Sequence, residues 1–74
     1  MSRFPSSTAI AELRLRYPKG CRVELVYMED PYTTLRSGAK GTVSLVDDIG
    51  TIFVDWEDGS HLGVAYGVDR VRKI

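Results

Sequence analysis

Asp55 and His61 are the residues best placed to do chemistry. They flank the turn Glu57-Asp58-Gly59, so a carboxylate and an imidazole can meet across a hairpin. Acid–base catalysis by such a pair needs an activated nucleophile, and the nearby hydroxyls of Ser44 and Ser60 have no evident activation. The expected outcome is a surface ion pair worth about 0–1 kcal/mol. One histidine and loose carboxylates do not make a zinc site. Asp47-Asp48 is not followed by the further oxygen donors of a calcium loop. Gly38, Gly41, Gly50 and Gly59 are spaced as turns, and no helix begins where they end, so they cradle no phosphate. The chain is therefore expected to be no enzyme and to hold no metal or cofactor.

What remains is surface chemistry. Tyr27, Tyr32, Trp56 and Tyr66 are aromatics with polar tips and have Met28 and Pro31 between them, the kind of set that lines a peptide or nucleic-acid groove. The bland alternative is that tyrosines plug the ends of a barrel. Phe53 joins the candidate contacts because it alternates away from Ile52 and Val54, and Val26 and Val46 point outward by the same count. Ile10 and Leu13 of a helix, or a partner, must cover these three.

Charge is sorted along the chain although the formal net charge is zero. Arg3, Arg14, Arg16, Lys19 and Arg22 face only Glu12 at the start. Asp47, Asp48, Asp55, Glu57 and Asp58 form an acidic middle, and Arg70, Arg72 and Lys73 return near the end. Such sorting suits docking to an oppositely charged partner or, blandly, a solvated surface of mixed sign.

The elements that must position these residues follow from periodicity. Met1 to Pro5 reads as loose. Ser6, Ser7 or Thr8 caps a short helix over 7–16, with Ile10, Leu13 and Tyr17 on one face and Pro18 as its stop. Alternation marks strands at Arg22–Tyr27, Thr42–Val46 and Thr51–Trp56, then around Leu62–Val64 and at the tail Val68–Ile74. A long loop, Met28 to Lys40, separates the first two strands. A turn at Asp47-Asp48-Ile49-Gly50 would pair Leu45 with Ile52 and Val43 with Val54. The three-residue turn Glu57-Asp58-Gly59 would pair Trp56 with Ser60, Val54 with Leu62 and Ile52 with Val64. Trp56, at a hairpin end, is expected to be partly exposed. Five short strands in so small a domain avoid open edges by closing. The expected fold is mainly β: a small five-stranded SH3-like barrel over 20–74 with a short N-terminal α-helix, making one domain over 1–74.

Seventy-four residues allow one compact domain, and a chain of that size buries only about 60% of its unfolded surface. No apolar stretch is long enough to cross a membrane, and no secretory leader is expected. Cys21 is the only cysteine, which points to a reducing cytoplasm.

Six segments carry a family resemblance: LRLRYPKG at Leu13–Gly20, RVEL at Arg22–Leu25, MEDPY at Met28–Tyr32, GAKGTV at Gly38–Val43, VDDIGTIFVDWEDGS at Val46–Ser60 and GVDRVRKI at Gly67–Ile74. Through them the chain resembles domain of unknown function 4314, small proteins of Gram-positive bacteria, their phages and mobile elements. The resemblance implies a stand-alone β-rich domain and supplies no catalytic residues.

The expected function is a non-enzymatic, protein-binding interaction module. An accessory or inhibitor protein of a mobile element would work this way, with the acidic patch Asp47, Asp48, Asp55, Glu57 and Asp58 meeting a basic protein. The alternative is nucleic-acid backbone binding through Arg14, Arg16, Arg22, Arg70 and Arg72, although the sequence pI of about 6.5 is low for it. The protein partner is unidentified, and the chain is expected as a monomer or homodimer.

Overall fold

A computed structural model describes residues 5–29, 35–65 and 67–74. The chain runs α1 (Ser7–Arg16), β1 (Arg22–Tyr27), β2 (Lys40–Val46), β3 (Thr51–Trp56), β4 (Gly63–Ala65) and β5 (Arg70–Lys73). The five strands form one antiparallel sheet in the order β4-β3-β2-β1-β5. The first strand thus sits between the second and the fifth, as expected of an SH3-like arrangement.

The sheet is not closed. Its edge strands β4 and β5 lie in contact, yet no ladder joins them among the described residues. The reason is visible in the strands themselves. β4 holds three residues and β5 four, and a bulge between Leu25 and Tyr27 displaces the β1–β5 register near the seam.

The helix starts where Ser6 accepts a hydrogen bond from the Ala9 N–H (3.1 Å) and ends with the Tyr17 N–H bonded to the Leu13 carbonyl (2.8 Å). Ten residues would be marginal alone. The helix is held because Ile10 and Leu13 are buried and it packs against β2. Arg14 fastens it further: Nε donates to the Val46 carbonyl (3.2 Å) and Nη2 pairs with Asp48 (2.7 Å).

Leu13 joins Val23, Leu25, Leu35, Val43, Val46, Ile52, Val54, Trp56 and Val64 in one core. Full burial of an aliphatic side chain of this size is worth about 1.5–3 kcal/mol, so this inner face holds the sheet in shape.

The second hairpin has the expected register. Ile52 pairs with Val64, and the Trp56 N–H donates to the Ser60 carbonyl (2.9 Å). The first hairpin corrects the sequence reading. Val43 does pair with Val54, but Leu45 pairs with Phe53 and Val46 with Ile52, across a bulge between Val43 and Leu45. Val46 is therefore buried (7% exposed) and Leu45 is out (52%), the reverse of the expectation.

The cause is Asp47. Its Oδ1 accepts from the N–H groups of Ile49 (3.1 Å) and Thr51 (2.8 Å), and its own N–H donates to the Thr51 carbonyl (3.0 Å). Asp47 is thereby drawn opposite Thr51, and the loop shrinks to three residues. Both turns now share one form, with Gly50 (φ 86°) and Gly59 (φ 92°) in the left-handed region. The extra residue is absorbed at Ser44, whose hydroxyl donates to the Phe53 carbonyl (3.1 Å).

Candidate functional site

The charges sorted along the sequence meet in space. Arg14 pairs with Asp48, Arg22 with Glu57, Arg72 with Glu24 (2.6 Å), and His61 Nδ1 lies 2.8 Å from Asp55 Oδ1. Arg22 also donates to the Thr42 hydroxyl (3.0 Å). The acidic candidates left over serve the turns: Asp47 as described, and Asp58 by accepting from the Ser60 N–H (2.8 Å). That backbone hydrogen bond holds the Asp58 carboxyl below the usual carboxylate range. Of the basic candidates, Arg16 and Arg70 have no carboxylate partner among the described residues.

Among the described residues, the candidate contacts Tyr27, Met28, Phe53 and Trp56 are not gathered in one groove. Trp56 is buried, with 3% exposure, and its Nε1 donates to the Leu62 carbonyl (2.9 Å). The expectation of a partly exposed indole fails because Ser60–Leu62 folds back over it. Tyr27 is exposed beside the β1 bulge, so the alternation that should have turned it inward is lost there. Met28 is half-buried against the core. Phe53 is half-buried on the outer face and pairs with Gly63, where a Cβ would stand 3.5 Å from its ring. Pro31, Tyr32 and Tyr66 lie outside the described residues. Phe53, Val26 and Val46 do not form one patch, because Val46 turns inward with Leu13.

One concavity lies at the seam. A cleft of about 420 Å³ is lined by Leu13, Arg16 and Tyr17 of the helix end, Val26, Ile52 and Val64 of the sheet, and Gly67, Asp69, Arg70 and Val71 beyond β4. Its lining is largely apolar, and its rim carries the two arginines that have no carboxylate partner among the described residues. Asp69, the acid on that rim, is already engaged: it accepts from the N–H groups of Glu29 (2.9 Å) and Ala65 (3.0 Å). A second, smaller hollow of about 310 Å³ is lined by Lys40, Glu57 and Asp58 beside Leu35, Gly38 and Ala39.

Sequence reasoning missed the cleft because it expected the barrel to close over it. Arg16 and Arg70 were legible only as cations on a stripe. The shortness of the last two strands was the signal that could have revealed a gap. Among the described residues, no three His, Cys, Asp or Glu side chains gather as a metal site, and no helix is long and apolar enough to cross a membrane.

Fold and cleft define a small antiparallel β-sheet domain with one helix laid on its buried face and a groove at the unjoined edge. The chain belongs to the family described as Domain of unknown function (DUF4314), whose pattern matches residues 6–74. No curated protein and no solved structure matches it significantly.

Proposed function

We propose that the protein is a non-enzymatic interaction module that binds a protein segment in the seam cleft. The observation that carries this is the pairing of an apolar lining (Tyr17, Val26 and Val71, over the buried Ile52 and Val64) with Arg16 and Arg70 on the rim. An aliphatic side chain fits this lining, and a carboxylate beside it gains charge-assisted hydrogen bonds from a guanidinium. Elsewhere the basic and acidic candidates largely neutralise one another, so the acting surface is this cleft rather than the acidic hairpins. An accessory or inhibitor protein of a phage or mobile element, working in the cytoplasm, would need only such a capture surface.

Nucleic-acid binding has less support. A backbone-tracking stripe needs several cations facing phosphates, and Arg14, Arg22 and Arg72 are already held by Asp48, Glu57 and Glu24. Selection from a displayed peptide library tests the proposal. The expected winners carry Val, Leu or Ile next to Asp or Glu, and Arg70→Gln lowers their affinity. Failure to enrich any such sequence, or salt-dependent binding of a single-stranded oligonucleotide that Arg70→Gln abolishes, would overturn it.

A further inference from the structure

We propose that the bound segment enters as a β-strand along the free edge of β5, taking the sixth place in the ladder. This presupposes the protein-binding role of the cleft and adds how the segment is held and what sequence it has. β5 pairs only with β1, and β4 only with β3, so each edge strand has one unpaired side among the described residues. An unpaired edge offers a row of N–H and C=O groups to an incoming strand.

The two edges are not equivalent. On β4, the Ala65 N–H donates to Asp69 Oδ2 (3.0 Å), and its carbonyl accepts from the Val68 (3.1 Å) and Asp69 (2.9 Å) N–H groups. That edge is capped by its own turn. On β5, the Ile74 N–H donates to the Arg22 carbonyl (3.1 Å). Bonding direction alternates along an antiparallel strand, so Arg72 also faces β1, while the backbone groups of Val71 and Lys73 face the free side. β5 is the edge that accepts.

Side-chain alternation then fixes the ligand. Val71 lines the cleft. A residue directly opposite it, bonded to its backbone, points its side chain to the same side, over Ile52 and Val64. Its neighbours point to the other side of β5, where Arg70 has no carboxylate partner among the described residues. The segment is therefore an antiparallel strand alternating aliphatic and acidic residues.

Blocked octapeptides alternating Val with Glu provide the probe, with Val/Lys and Val/Ser peptides as controls. Two further Val/Glu peptides are N-methylated, one on all Val amides and one on all Glu amides. The Val/Glu peptide should bind, and the Val/Lys peptide should bind at least about tenfold more weakly. Methylation of the Val amides, which face β5, should weaken binding at least about tenfold, and methylation of the Glu amides should leave it unchanged. Amide exchange at Val71 and Lys73 should slow in the complex. Arg70→Gln, at an exposed position, should weaken binding without altering unfolding. If Val/Glu binding survives both methylations equally while remaining sensitive to Arg70→Gln, the strand is overturned and the protein-binding cleft stands. If no Val/Glu or library peptide binds, both fall.

Discussion

The two hairpin turns and the β4–β5 seam are made of similar residues arranged to opposite ends. At the turns, Asp47 and Asp58 cap backbone N–H groups, and Asp48, Asp55 and Glu57 meet Arg14, His61 and Arg22. At the seam, Arg16 and Arg70 stand over a largely apolar cleft without a carboxylate partner among the described residues. A cluster of charge in a sequence is thus poor evidence of a site. Charge that the fold leaves unanswered, next to apolar surface that it leaves uncovered, is better evidence.

The comparison breaks most visibly through the core between the turns. Trp56→Ala should cost about 3–5 kcal/mol in urea unfolding, because it empties a buried site and leaves the Leu62 carbonyl without its donor. A loss below 1 kcal/mol would mean that the indole is not packed as described. Val46→Ala should cost about 2 kcal/mol, whereas Leu45→Ala should cost under about 0.5 kcal/mol. The reverse order would return the first hairpin to an unbulged register.

Asp47→Ala should cost about 1 kcal/mol through the two backbone donors it abandons. A neutral result would remove the reason given for the three-residue loop. Arg16→Gln and Arg70→Gln should each change stability by less than about 0.5 kcal/mol, so that any effect on peptide capture is a binding effect. The smallest consequence is the pH dependence of Asp58. Its folded pKa lies below its unfolded value, so its contribution is complete above the usual carboxylate range and is lost as pH falls through the lowered value. Asp58→Asn should flatten the acid limb of the stability curve slightly, and an unchanged limb would remove the Ser60 contact from the account.

The strand and helix positions were legible because local signals agreed. Ser6 before the apolar spacing Ile10, Leu13 and Tyr17 placed the helix, and glycine turns with alternating apolar residues placed β3 and its pairing with Val64. The Asp55–His61 contact followed from that register. Leu45 and Val46 were misread because alternation alone cannot show where a strand holds an extra residue. That depended on one carboxylate choosing two backbone donors. The seam was hidden for a different reason. Closure was assumed from the cost of open edges, but the strands that would have to close it are too short, and the arginines that are answered elsewhere meet carboxylates far away in sequence, Arg14 with Asp48 at 34 positions and Arg22 with Glu57 at 35.

Ser44 has a consequence for the shape of the whole sheet. Were it deleted, Val43, Leu45 and Val46 would fall in, out and in opposite Val54, Phe53 and Ile52 with no side chain changing sides. The shortened protein should still fold with the same interior. What it would lose is the local coiling that a surplus residue imposes, and a flatter ribbon would carry its two margins further apart. A single dispensable serine would then govern the width of the gap.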